Sequence, residues 1–447
     1  MKIIYILVFN FILILTFSND DLWAQEGEQR NLIHNFEKIQ LSSTFYAEGA
    51  GIGDINGNGH PDVVCGPYWY EGPNFTERKA YYEPVPFDPL RYSDNFIVAV
   101  DDVNDNGLND ILVVGFPGQD AVWYENPGEE EGHWPRHLIH STVDNEAQRW
   151  VDLTGDGNLE LLFHTDGYLG YAQMDPDDPT KPWTFNQVSE QSGWYRFTHG
   201  LGVGDINGNG HKDFIMNDGW WENPGPDAEE GQLWEHHQVD FGRDLVWTGE
   251  SRHTMFNTGG SQMFAYDVDG DGLNDVITSL NAHGWGLAWF KQVQTDEGVE
   301  FEKQLIMGSK PEDNPYGVRF SQLHALQVVD MDNSGLKDIV TGKRWWAHGP
   351  DGDYEPNAPA VIYWFKLDRG DDGKVNYIPY LIDDDSGVGV QFDVGDLTGN
   401  GYPDIVTCNK KGGHVFLNWP EEVSREEWEA AQPEKIWEIT PPRRIND

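Results

Sequence analysis

The sequence predicts an all-β protein, a seven-bladed β-propeller with calcium-binding hairpin loops, and three observations predict it. A short acidic loop of the form D-x-[DNT]-x-[DNS]-G-x-x-[DE] occurs seven times. Each copy is preceded by a run of small and apolar residues, such as Gly200-Leu-Gly-Val-Gly204, and followed by a β-rich one, such as Asp404-Ile-Val-Thr407. The first aspartates of successive copies lie 48, 50, 53, 62, 63 and 66 residues apart, a spacing that holds about four short strands, the unit of a propeller blade.

Along the chain, Met1-Lys2 and the apolar residues 3–17 read as the start of a secretory signal peptide covering residues 1–25. The apolar stretch is short for a bilayer span. The expectation is an exported protein, secreted or periplasmic, with no membrane insertion after cleavage and a single domain over residues 26–447. In each repeat the run before the acidic loop supplies the innermost strand, and the run after it the second. Aromatic segments such as Trp123-Tyr124-Glu125 and Trp220-Trp221-Glu222 supply the third, and more polar segments the fourth. Most of the 19 tryptophans fall into this scheme as packing between blades.

Residues 35–41, ahead of the first repeat, resemble the fourth strand at 301–306, so they suit completion of the last blade. The tail segment 435–440 competes for that place. Either closure removes unpaired sheet edges. The stretches 175–182 and 350–359 read as excursions between strands. Cys65 and Cys408 hold nearly the same position in the first and last repeats. Two buried small hydrophobes are the favoured reading, with a disulfide as the alternative.

A formal charge of −47 excludes nucleic acid and acidic membrane surfaces as partners. Part of that charge sits in the loops as hard oxygen ligands of the kind Ca²⁺ takes. The ligand sets are Asp54, Asn56, Asn58 and Asp62; Asp102, Asn104, Asn106 and Asp110; and Asp152, Asp156 and Glu160. Then come Asp205, Asn207, Asn209 and Asp213; Asp267, Asp269, Asp271 and Asp275; Asp330, Asp332 and Asp338; and Asp396, Asn400 and Asp404. The fifth set, with four carboxylates, is expected to bind best; Thr154, Ser334 and Thr398 weaken their loops. The alternative is that Asn-Gly and Asp-Gly pairs only make tight turns. The repeat resembles the FG-GAP/VCBS calcium-binding propeller repeats over residues 46–419, and that resemblance implies structural calcium at several sites.

If the loops mark one end of each inner hairpin, the opposite end gathers the residues six before each first aspartate: Glu48, Phe96, Glu146, His199, Ser261, His324 and Val390. Residues after the second strands join them there, including His164, His283, Lys343, Arg344, His348, Lys410 and Lys411. His199, His283 and His324 are candidate ligands of Zn²⁺ or another divalent metal at the channel mouth. Lys343-Arg344 and Lys410-Lys411 form an expected cationic island for a carboxylate, a keto oxygen or a developing enolate. Glu48, Glu146 and His164 are candidate bases.

The stretches Ser321-Gln-Leu-His-Ala325, Thr341-Gly-Lys-Arg344, His199-Gly-Leu-Gly202 and Asn409-Lys-Lys-Gly412 resemble the propeller domain of aldos-2-ulose dehydratases. That resemblance implies a metal at the propeller centre and dehydration of keto-sugars. The cupin domains that follow in the fungal enzymes are absent here. The expectation is a metal-assisted carbon–oxygen lyase on keto-sugars or oxidised glycosides. The alternatives are a non-enzymatic glycan- or protein-binding propeller of the integrin type, and a polysaccharide lyase on uronates.

Overall fold

Short β-rich runs bounded by glycine-rich loops fold as short strands: Asp62–Cys65, Asp213–Met216 and Asp404–Asn409 are buried along their whole length. The computed structural model describes residues 30–226, 228–229, 231–242, 259–296, 298–370 and 373–436. The signal-peptide reading of residues 1–25 lies outside them, as do residues 437–440 of the competing tail segment. The chain divides into a small unit of residues 1–33 with 420–432 and a large unit of residues 34–419 with 433–447. In the small unit, Val423 N–H donates to the Asn31 carbonyl at 2.9 Å. The one α-helix among the described residues, Arg425–Ala431, belongs to it and opens with Ser424 and Glu427 capping each other.

Strands dominate the rest, so the all-β class is shown. They form five sheets of four, seven, eight, four and four strands, within which antiparallel four-strand sets can be followed in chain order. The first set is Ala50–Gly53, Asp62–Cys65, Tyr68–Tyr70 and Arg78–Ala80. The second runs from Ile97–Asp101 to the long strand Arg136–Val151, whose far end opens the third set, continued by Glu160–Thr165, Tyr168–Gln173 and Thr184–Gln187. The fourth and fifth begin with Leu201–Gly204 and Gln262–Tyr266, which hydrogen-bond to each other in parallel. Glycine is required there, since a Cβ on Gly202 would meet the Met263 carbonyl oxygen at 2.1 Å. The sixth begins with Leu326–Val329 and the seventh with Phe392–Gly395. The edge strand of the seventh is Leu32–Ser42, so the N-terminal segment takes the place contested with the tail.

The first strands lie side by side in chain order, and Phe392–Gly395 in turn lies against Ala50–Gly53. Between adjacent sets the apolar faces interlock: Val63 and Tyr70 of the first pack with Val406 and Val415 of the seventh. Trp123 and Trp220 are buried in these layers, each against a histidine of its neighbouring strand, with Trp220 and His237 stacked at 4.0 Å. Cys65 and Cys408 are joined as a disulfide, with Cα atoms 5.8 Å apart across 343 residues of sequence. This replaces the favoured reading of two independent buried thiols. The first and last sets bring together residues that no local pattern relates.

Candidate functional site

Each first strand has a loop end and an opposite end, and the expected site residues divide between them. At the loop end the seven copies share one hydrogen-bond scheme. The ninth-position acid is buried and accepts the backbone N–H seven residues before it: Asp62 from Ile55 at 2.9 Å, Asp213 from Ile206 at 2.8 Å, Asp404 from Leu397 at 2.8 Å. In all but the third copy its second oxygen accepts an N–H from within or just past the third strand, as Asp110 does from Asn126 and Asp275 from Gln292, both at 2.7 Å. The first aspartate accepts the sixth-position glycine N–H, with Asp54 and Gly59 at 2.8 Å. Three carboxylates converge in the fifth loop, from Asp267, Asp269 and Asp271, and in the sixth, from Asp330, Asp332 and Asp338. Asp275 is outside its group, and both its oxygens accept backbone N–H groups. The Lys291 ammonium contacts Asp269 and reaches Asp271 at 2.9 Å, while Lys366 pairs with Asp332. The loop expected to bind a cation best therefore carries an internal cation already.

At the opposite end Glu48, Phe96, Glu146, His199, Ser261, His324 and Val390 are all buried. His199 Nε2 and His324 Nε2 lie 3.1 Å apart, though they come from the fourth and sixth sets. The His283 ring, just past Asp275–Ser279, lies edge-on to both, with centroids at 4.8 and 5.3 Å. One nitrogen from each ring falls within 4.8 Å of those of the other two. Glu146 Oε2 lies 3.1 Å from His324 Nε2, 3.7 Å from His199 Nε2 and 3.3 Å from Arg344 Nη1. Arg344 Nη2 pairs with Glu48. Gln322 locks this corner: in the left-handed region at φ 63°, it accepts Arg344 N–H through its carbonyl at 2.9 Å and Ala347 N–H through its side chain at 3.2 Å.

Electrostatics follow from burial. It lowers all three histidines, His324 to about 3, so the rings are neutral and keep a lone pair for a metal or a proton. Burial alone would raise Glu146, but the charge of Arg344 and a hydrogen bond from His324 outweigh it and hold its carboxyl below the usual range. That makes Glu146 a poor base, contrary to expectation. The Nδ1 atoms of His283 and His324 and the Nε of Arg344 are buried without a hydrogen-bond partner. Neutral rings with orphaned nitrogens around one carboxylate form a donor set that fits a divalent transition metal.

Two further expectations need correction. The cationic island is largely neutralised: Arg344 has two carboxylates, and Lys411 pairs with Asp385 at 2.7 Å. Lys343 donates to Ser321 Oγ and Lys410 to the Trp346 carbonyl, each at 2.9 Å, and burial pushes both down to about 8. His164 is not part of the cluster. It is buried near Trp194 with neither ring nitrogen hydrogen-bonded. Its strand position put it at the right end, but its side chain points into packing between sets.

Asp353 was missed. It lies in the 350–359 excursion with its side chain buried, Oδ1 at 2.8 Å from His348 Nδ1 and 3.6 Å from His283 Nδ1. At 3.6 Å the carboxylate stands beyond hydrogen-bond reach of His283, so the ring whose tautomer and orientation it fixes is that of His348, which packs against His283. The only sequence signal was an acid close after His348.

No family model and no curated protein matches this chain. Among solved structures, it is similar to an Agrocybe aegerita lectin that recognises non-reducing terminal N-acetylglucosamine, with 20% identity, TM-score 0.46, 79% of this chain and 81% of that one covered. It is also similar to BBS1N in its complex with ARL6DN, at 8% identity, TM-score 0.48 and coverages of 89% and 98%. For rhamnogalacturonan lyase YesW the values are 10%, 0.40, 86% and 75%. Likenesses of this strength carry no argument about ligand or reaction.

Proposed function

We propose that the large unit is a closed seven-bladed β-propeller of an exported protein, braced by Ca²⁺ in its acidic loops, and that the histidine cluster is the centre of a carbon–oxygen lyase acting on keto-sugars or oxidised glycosides. The observation that carries this reading is the meeting of His199, His283 and His324 from three separate sets around the Glu146 carboxylate. Seven four-strand sets, with the last first strand lying against the first, support the ring.

His199, His283 and His324 would hold a divalent transition metal, with Asp353 fixing the His348 ring that packs against His283. Such an ion, when bound, would polarise a substrate carbonyl. Arg344 is fixed by Glu48 and Glu146, and its unpartnered Nε–H is available to a substrate oxygen. Lys343 or Lys410, each near 8, suits removal of the proton α to the carbonyl. The freed electron pair forms the carbon–carbon double bond as the β-oxygen leaves with its bonding pair. Glu146, held ionised, would keep the rings in register.

A second reading, the non-enzymatic glycan- or protein-binding module, is favoured by the burial of every cluster residue. The uronate lyase loses its support with the neutralised island. The test is metal analysis of the purified protein, with 2-keto and 3-keto sugars and glycosides screened for enone absorbance. We expect stoichiometric transition metal besides calcium, lost together with activity in His199→Ala and His324→Ala, while calcium content and melting temperature hold. A protein with calcium alone and no enone from any substrate would hand the case to the binding module. Chelation should lower the melting temperature, and a curve indifferent to EDTA would leave the loops as plain turns.

A further inference from the structure

A second polar feature lies farther along the same first strands, away from the histidines. A cavity of about 240 Å³ is lined by residues of six first strands together with Leu159 and Gln391, among them Val98, Arg149, Gln327 and Asp393. Arg149 stands three residues beyond Glu146 on Arg136–Val151. Its guanidinium carbon lies 4.5 Å from the centre of the Phe264 ring, so one face of the fork is covered. Among the described residues the guanidinium makes no hydrogen bond, and no carboxylate comes within ion-pairing distance of it.

A half-buried cation with no protein counterion and no hydrogen bond keeps its donors free for an anion. Asp393 is the acid whose charge bears on Arg149, but its oxygens accept Ile52 N–H at 3.0 Å and Val394 N–H at 2.9 Å, and burial pushes its carboxyl up to about 6. The neighbouring amides are mostly committed. Gln262 Nε2 donates to the Val390 carbonyl at 3.1 Å, and Gln327 Nε2 to that of Phe392 at 2.8 Å. Gln391 differs: its Oε1 accepts from Ala50 and Val98, at 3.0 and 3.2 Å, which leaves its Nε2 without a protein acceptor. Two free donors, one of them charged, thus face a space with room for roughly eight waters.

We propose that this cavity is a binding site for a small carboxylate, held by the edge of the Arg149 fork and by Gln391 Nε2. A planar guanidinium with its face covered presents its N–H groups in the plane that suits a two-oxygen anion. A volume of about 240 Å³ has room for an acid of a few carbons. The site is separate from the histidine cluster and stands or falls independently of the lyase reading.

The test is thermal unfolding of the intact protein in acetate and in pyruvate, at ionic strength held constant with fluoride, with sulfate as a further probe. The expected result is a saturable rise in melting temperature of about 2 °C or more with the carboxylates. Arg149→Gln should abolish it, and His199→Ala should retain it. Where Arg149→Gln folds poorly, Arg149→Lys keeps the charge without the fork and should weaken the apparent affinity at least about tenfold. No rise above fluoride, a rise with sulfate alone, or one undiminished in either Arg149 variant would overturn the proposal and leave the cavity to water.

Discussion

The two ends of the first strands are built from the same hairpins yet hold charge in opposite ways. At the loop end each buried acid is satisfied by backbone N–H groups of its own set, as Asp213 is by Ile206 and Asn223. At the histidine end Glu146 is satisfied only by side chains from other sets, His199, His324 and Arg344. A backbone solution can be copied seven times, because every copy has the same backbone. A side-chain solution exists once, because each set supplies a different residue. The loop end is therefore a repeated brace, and the histidine end a single site.

Removing the hub of the side-chain network is the strongest way to break this contrast. Arg344→Met leaves Glu48 and Glu146 buried without a cation and should cost about 3–5 kcal/mol in chemical denaturation. Combining it with Glu48→Gln and Glu146→Gln should recover much of that loss. A cost below about 1 kcal/mol would mean that the network is not closed as described.

At the loop end the cost should be smaller and alike from copy to copy. Asp213→Ala orphans two backbone donors and should cost about 2–4 kcal/mol in the same assay, with Asp62→Ala and Asp404→Ala close to it. A wide spread among the three would show that the seven loops are not equivalent braces.

His164 sharpens the comparison, being buried charge-free at the histidine end with no partner at all. Burial pushes it down to about 3 in the folded chain, against an ordinary value near 6.5. The unfolded chain thus takes up a proton that the folded one refuses. This leaves stability intact above pH ~6.5 and lowers it as pH falls toward 3. His164→Leu should remove that share, gaining about 2 kcal/mol relative to the parent at pH 5 compared with pH 7.5, measured by urea unfolding at both. Equal differences at the two pH values would show that the ring titrates alike in the folded and unfolded chains.

The smallest effect concerns the fifth loop. Lys291→Met frees Asp269 and Asp271 from the ammonium and should tighten calcium binding there several-fold in titration calorimetry, with a stability change below about 1 kcal/mol without calcium. Unchanged affinity would mean that the lysine swings aside at no cost.

Much of this was legible in the residues. The four-strand period, the acidic loops and the end of each hairpin where His199 and His324 would stand follow from spacing and from the two-residue alternation of strands. So does the placement of residues 35–41 as an edge strand. Less legible was how side chains settle once there. His164 has a strand position as favourable as its neighbours, yet packs away from the cluster. Lys343-Arg344 read as free charge, but Arg344 meets two carboxylates whose first strands lie hundreds of residues earlier. Asp353 sits in an excursion with no repeat to compare it with. The Cys65–Cys408 bond depended on which sets become neighbours.

By itself, then, the sequence determined what repeats: short strands, acidic turns and the direction in which each first strand runs. These rest on local backbone geometry, where a glycine, an aspartate and a few β-branched residues suffice. Tertiary structure decided what occurs once: which histidines touch, which carboxylate neutralises which arginine, which lysines lose their water and fall to about 8, and that Arg149 is left facing a cavity. Those outcomes depend on distances between distant parts of the chain and on exclusion of solvent. Both arise only when the sets close on one another.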